Sequence, residues 1–200
     1  NGDELVIEGS GNAGMSILAG ASSKSNIFLG DSGSSAIGNI SYDHSDNSLS
    51  IGVNGAENFK ILSTGAATIT TADNSNTLTL SSTDADANPG PVLNYYRNSG
   101  SAADNDYIGR NIFTFNNDAP EIETALAQNI IMTDVSNGSE DVKYVHEQMT
   151  AGSIVDRFSI SATEAVFNEA SIDVNFRVES NSNANMFNVQ GSDRVGIGTI

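Results

Sequence analysis

A serine nucleophile, a calcium loop and a pair of sugar-cleaving carboxylates are the chemistries for which this chain carries residue types. Gly30-Asp31-Ser32-Gly33 has the form of a loop that presents a catalytic serine, a chemistry that needs a histidine base oriented by a buried aspartate beside an oxyanion hole. The chain has two histidines, His44 and His146. His44 is the nearer, but it lies in a Ser- and Asn-rich turn with no histidine-bearing motif around it. A turn after Ile27-Phe28-Leu29 is the simpler reading of the tetrapeptide, and its Asp-Ser-Gly has no second copy to make an aspartic-protease pair. Asp84, Asp86 and Asn88 offer oxygens at alternate positions, as an EF-hand loop does. Pro89 stands where that loop needs glycine, and the closing bidentate glutamate is missing. Asp104-Asn105-Asp106 and the pair Asp43 and Asp46 are comparable, and all read more simply as aspartates capping turns through their own backbone.

Glycan cleavage needs two acids about 5–10 Å apart in a groove. Glu121 and Glu123, Glu140 and Asp141, and Glu164 are available, but spacing alone does not bring them together. No tryptophan is present to stack on a sugar, which leaves Tyr95 and Tyr96, in Tyr95-Tyr96-Arg97, as a substitute platform or as plain packing residues. Asn39-Ile40-Ser41 and Asn137-Gly138-Ser139 match the glycan-acceptor pattern by chance in so Asn- and Ser-rich a chain. The expectation is therefore no catalytic residue, no cofactor and no dedicated metal site, with Asp84, Asp86 and Asn88 as weak calcium candidates.

Composition narrows the partners. Eight basic against 25 acidic residues leave a net charge of −17 over 200 residues, a surface that repels nucleic-acid phosphates and anionic membranes. With no cysteine there is neither a disulfide framework nor a thiolate metal site. No window approaches the roughly 18 apolar residues of a membrane span. The chain opens on Asn and closes on Val195-Gly196-Ile197-Gly198-Thr199-Ile200 in mid-strand pattern, so it reads as a piece of a longer protein.

Any site would have to be held by β-strands. Asn, Ser, Thr, Gly and Asp dominate, residues whose short polar groups compete with helix hydrogen bonds. Apolar residues recur in short period-two runs: Met15/Ile17/Ala19, Ile27/Leu29, Ile40/Tyr42, Leu49/Ile51/Val53, Phe59/Ile61 and Leu78/Leu80. Further runs are Ile112/Thr114, Ile130/Met132, Val142/Tyr144, Phe158/Ile160, Phe176/Val178, Phe187/Val189 and Val195/Ile197. This is the pattern of half-buried antiparallel strands. Glu121–Met132 has some helical spacing but runs straight into Ile130-Ile131-Met132-Thr133, and is predicted as strand. The fold class is all-β.

Two stretches repeat one layout. Ile40–Asp43, a polar turn, Ser48–Val53, the turn at Asn54-Gly55, then Asn58-Phe59-Lys60-Ile61 matches Ile130–Asp134, the turn at Asn137-Gly138, Val142–Met149, the turn Thr150–Ser153, then Asp156–Ile160. Asn-Gly favours the positive φ of a type I′ hairpin turn, so Asn54, Gly55, Asn137 and Gly138 are predicted to turn hairpins. Each unit reads as a three-stranded meander closing on Phe-x-Ile, followed by a connector, Thr64–Ile69 or Thr163–Phe167. New modules open at Leu5–Glu8, Leu78–Ser81 and Phe176–Glu179. The modules are then residues 1–70, a linker at 71–77, residues 78–168, and the start of a third at 169–200.

One such meander has little to bury. At about 25 cal/mol per Å² of apolar area, two or three apolar side chains per strand compete poorly with about 1–2 kcal/mol of backbone entropy per residue. Identical chains around a common axis would supply the missing apolar layer. A homotrimer with Phe59, Ile61, Phe158, Ile160, Phe176, Val178, Val195 and Ile197 along its axis is the expectation, an elongated β-prism or β-helical shaft.

Phe176-Arg177-Val178-Glu179-Ser180, Asn185–Val189 and Asp193-Arg194-Val195-Gly196-Ile197-Gly198-Thr199 resemble the F-R-V…V-G-I-G-T segment of bacteriophage tail fibres. Leu78–Ile160, with Pro89–Arg97 and Asp104–Gly109, is similar to modules of marine-phage structural proteins, and Tyr42–Leu49 echoes another. The resemblance covers most of the chain and implies a trimeric appendage, upstream in that family of a self-cleaving chaperone domain. The implied role is a rigid spacer outside the cell, in the virion, partnered by identical chains and other appendage proteins and meeting host glycans indirectly. A secreted bacterial adhesin or surface filament, and a polysaccharide-degrading tailspike, are the alternatives.

Overall fold

A computed structural model describes residues 5–168, 170, 174–178, 187–190 and 194–197, and every regular element among them is a β-strand. Two units divide the chain, residues 1–92 and 93–200. The first holds a five-stranded antiparallel meander in chain order: β1 (Lys24–Leu29), β2 (Gly38–Asp43), β3 (Ser48–Val53), β4 (Ala56–Ile61) and β5 (Ala67–Ile69). The second repeats it with β6 (Tyr107–Asn116), β7 (Ile122–Asp134), β8 (Asp141–Thr150), β9 (Ser153–Ile160) and β10 (Ala165–Phe167), and adds a three-stranded sheet of β11 (Phe176–Val178), β12 (Phe187–Gln190) and β13 (Arg194–Ile197).

The repeat extends to irregular details. Asn58 is bulged out of the β3–β4 pairing and Arg157 out of β8–β9, each one residue before its Phe-x-Ile. The carbonyl of each bulged residue accepts a hydrogen bond from just past the following strand, Thr70 N–H to Asn58 and Asn168 N–H to Arg157. A bulge bends and twists its strand, so both sheets bend at the same point. The connectors expected after Phe-x-Ile are themselves edge strands, β5 and β10, and β1 and β6 pair on the other edge, so each meander has five strands where three were expected. Ile69 is the reason in the first sheet, because pairing β5 sets it beside Phe59.

Other expectations need correction. Met15/Ile17/Ala19, Leu5–Glu8 and Leu78–Ser81 form no strand: alternation chooses faces, but among the described residues no strand pairs with these runs. Asn54 (φ 54°) and Gly55 (φ 74°) form the expected left-handed pair. At Asn137-Gly138 only Gly138 (φ 90°) is left-handed, and Ser139 N–H closes on the Ser136 carbonyl, the φ pattern of a type II turn within the longer loop 135–140. The two-residue hairpin equivalent to Asn54-Gly55 falls instead at Ala151 (φ 48°) and Gly152 (φ 78°). Gly55→Ala is expected to cost about 1–2 kcal/mol, seen as a lower urea midpoint. A Cβ there meets no atom within 4 Å, so the loss is conformational.

Aspartates build the turns. Asp43 accepts from the Ser45 hydroxyl and N–H, Asp46 from those of Ser48, Asp73 from Ser75 N–H, Asp134 from Ser136 N–H, and Asp31 from Gly33 and Ser34 N–H. These hydrogen bonds hold all five carboxyls below their ordinary range, led by the Ser45, Ser48 and Ser75 hydroxyls and by the Gly33 and Ser136 backbone. A depressed folded pKa adds stability that is complete above the unfolded pKa and is lost as pH falls through the folded one. The double variant Asp43→Asn, Asp134→Asn is therefore expected to lose less stability than the parent between about pH 7 and about pH 3 in urea titrations. Comparing the two chains cancels most of the relief of self-repulsion that acid brings to a charge of −17.

Candidate assembly surface

Successive side chains of a strand point to opposite faces, so the strand register sorts each sheet. On one face of the first sheet Ile27, Ile40, Ile51, Phe59 and Ile69 stand in a row across all five strands, beside Ser25, Tyr42, Leu49, Ile61 and Ala67. The opposite face carries Asn26, Ser41, Ser50, Lys60 and Thr68. Burial is inverted between the two. Ser41 and Ser50 are 5% and 8% exposed, whereas Ile27, Ile40 and Ile51 are 40%, 39% and 39% exposed. Small serines sit low between longer neighbours, while the apolar row lacks the second layer that a sheet needs to make a core.

The second sheet also leaves large apolar side chains exposed, but its faces are mixed. Gly109, Ile130, Tyr144, Ile160 and Ala165 form one row of a face, and Asn111, Gln128, His146, Phe158 and Phe167 the next. Ile130 and Ile160 are exposed. Across the sheet Ala127, Asn129, Val145 and Ser159 are buried, with Asn129 Oδ1 accepting from Arg110 Nε at 2.6 Å and Arg110 paired with Glu147 at 3.5 Å. An aromatic ladder continues the apolar face: Tyr144 to Phe158 at 6.2 Å, Phe158 to Phe167 at 4.7 Å, Phe167 to Phe176 at 5.0 Å, and Phe176 to Phe187 at 6.1 Å between ring centres. It carries apolar contact from β9 through β10 into β11 and β12.

The residues predicted to line an axis fall on these surfaces as follows. Phe59 and Ile61 lie on the apolar face of the first sheet, Phe158 and Ile160 on that of the second, and Phe176 and Val178 are exposed in β11. Val195 pairs with Val189 and Ile197 with Phe187. Glu179, Ser180, Asn185, Met186, Asp193, Gly198 and Thr199 of the F-R-V…V-G-I-G-T segment lie outside the described residues. Sequence reasoning missed Ile27, Ile40, Ile51 and Ile69 as members of one row, and Tyr144, Phe167 and Phe187 as rungs of one ladder. The alternating runs named most of them as strand residues, but a face-to-face row exists only once the register is known.

The chemistry-bearing residues are occupied with structure. Asp31 caps the turn of its own tetrapeptide, and Asp31 N–H closes on the Ser34 carbonyl. His44 Nε2 lies 3.0 Å from Ser25 Oγ, which also reaches the Ile17 carbonyl at 3.0 Å, so this ring nitrogen is engaged with a serine of the first strand. Asp86 accepts from both the backbone and the side-chain amide of Asn88, and Asp84 accepts from Asp86 N–H. Asp84, Asp86 and Asn88 therefore form successive turn caps. Among the described residues no three His, Asp or Glu side chains converge on a cation position. Glu121 and Glu123 both accept from the Asn117 side chain, and Glu140 caps Gly138 N–H.

Tyr95-Tyr96-Arg97 is coil, not strand. Tyr95 O–H donates to Asn111 Oδ1, its ring seats on Gly109 (an added Cβ there would lie 2.9 Å from Tyr95 Cβ), and Arg97 reaches the Tyr107 carbonyl at 3.0 Å and Asp106 at 2.9 Å. Tyr95 and Arg97 thus pin their segment against β6. Comparison with protein-family models, curated proteins and solved structures finds no match.

Proposed function

We propose that this chain is a structural segment of a fibrous virion appendage, a bacteriophage tail-fibre shaft, whose copies associate as homotrimers through their apolar sheet faces. One observation carries the reading: each five-stranded sheet leaves a row of large apolar side chains exposed, Ile27, Ile40 and Ile51 in the first and Ile130 and Ile160 in the second, while smaller residues of the opposite face are the buried ones. A single chain in water would expose both apolar rows and the aromatic ladder, which disfavours it, and covering them with the same faces of identical chains gives closed symmetry without a free apolar patch. Tandem repeats of one meander, joined by turns that aspartates cap, are the construction of a spacer that lengthens by adding modules. The F-R-V…V-G-I-G-T resemblance points to the tail-fibre class.

The role is mechanical. The segment sets reach and stiffness and carries host-binding or chaperone domains, with other appendage proteins as partners and host glycans met indirectly. Negative-stain images of the purified chain test it: rods of uniform width are expected, and round particles of single-chain size would overturn it. Gene neighbours encoding virion parts distinguish the fibre from an adhesin, whose neighbours would encode secretion.

A further inference from the structure

We infer that the polar face of the first sheet holds a binding groove for a neutral, hydroxyl-rich ligand of the size of one sugar residue. The groove has a volume of about 320 Å³ and is floored by Asn26, Asn39, Ser41 and Ser50, with Phe28 as a wall and Lys24 and Glu57 at the rim. That volume falls at the small end of ligand sites, which run from about 300 to 1,000 Å³. Ser41 is the telling residue. It is 5% exposed, it lines the groove, and its Oγ has no hydrogen-bond partner among the described residues. A buried hydroxyl left unpaired is unfavourable unless something else completes it.

The surrounding groups fit one class of partner. The Asn39 carboxamide lies over Gly52, where an added Cβ would stand 2.6 Å from Asn39 Oδ1 and 3.0 Å from the Ala56 carbonyl, so the missing side chain at Gly52 is what lets Asn39 lie flat on the floor. Asn39 and Ser41, two residues apart on one face of β2, therefore line the groove with a carboxamide and a hydroxyl, groups that both donate to and accept from hydroxyls. Phe28, exposed beside them, offers the apolar face on which a sugar's C–H surface rests. Ionic ligands are disfavoured. Lys24 is already paired with Asp43 at 3.4 Å, Glu57 stands 4.0 Å from Lys60, and the floor holds no charge. The strap of residues 30–37 closes one end through Gly55 N–H donating to the Ile37 carbonyl at 2.8 Å. The groove lies on the face opposite the Ile27–Ile69 row, so covering that row leaves it open, and a binding test is independent of oligomeric state.

The test is saturation-transfer NMR on the full 200-residue chain, with methyl glucoside, galactoside and mannoside as probes and inorganic phosphate as a separate arm. Transfer to the ring protons of at least one glycoside is expected from the parent. Asn39→Ala and Ser41→Ala should each weaken it by about tenfold, while Ser41→Ala melts no lower than the parent, because it removes an unpaired buried hydroxyl. No transfer to any glycoside, undiminished transfer in both variants, or competition by phosphate would each overturn the inference.

Discussion

Phe158→Asp is expected to convert the assembled protein to single chains, seen by light scattering as a fall to the mass of one polypeptide. Phe158 is a rung of the aromatic ladder, between Tyr144 and Phe167. In the proposed assembly the substitution places one carboxylate from each copy in an apolar interior. Each buried ion costs several kcal/mol even after relaxation, and like charges beside one another add to it. Because Phe158 also packs within its own chain, Ile160→Asp serves as the second variant. Ile160 is 46% exposed in the single chain and stands outside the aromatic ladder, so its replacement disturbs the lone sheet less than Phe158→Asp does. Loss of assembly in Ile160→Asp with unchanged far-ultraviolet circular dichroism is the expected result. An undiminished mass in both variants would remove this face from the interface.

Gly30→Ala is expected to be the most damaging single methyl in the first unit. A Cβ at Gly30 would lie 2.6 Å from the Ser35 backbone carbon and oxygen and 2.7 Å from the Ser34 oxygen. Backbone atoms cannot swing aside as a side-chain tip can, so the strap between β1 and β2 would have to move. Overpacking of this kind costs about 1–3 kcal/mol, and for a unit of this size that lowers the melting temperature by roughly 10 °C. Thermal unfolding followed by circular dichroism checks it. Gly33→Ala is the contrast, since its nearest approach is 3.3 Å to the Asp31 carboxylate, a group that can yield.

Much of the fold was legible in the residues. Period two in Ile40/Tyr42, Leu49/Ile51/Val53 and Phe158/Ile160 identified strands and assigned each side chain to a face, because the pleat leaves no other choice. Asn54-Gly55 declared its turn, since both residues tolerate left-handed backbone. Other features were not legible, for physical reasons. Leu78 and Leu80 alternate as strand residues do, yet a strand exists only where a neighbour accepts its hydrogen bonds, and that neighbour is not written locally. Ala151 turns a hairpin in a conformation its side chain disfavours, because the flanking β8 and β9 pairings hold it there. The burial of Ser41 and Ser50 beneath their neighbours, and with it the open apolar row and the unpaired Ser41 hydroxyl, depends on five strands coming into register. No single run of sequence contains that information.

Mass in solution decides whether identical chains cover the apolar rows. Size-exclusion chromatography with multi-angle light scattering, or native mass spectrometry, on the purified chain should give three times the 20.8 kDa of one polypeptide, at concentrations where dissociation is negligible. A cooperatively melting species at 20.8 kDa would show that the apolar rows of both sheets tolerate water, and the fibre assignment would fall with them.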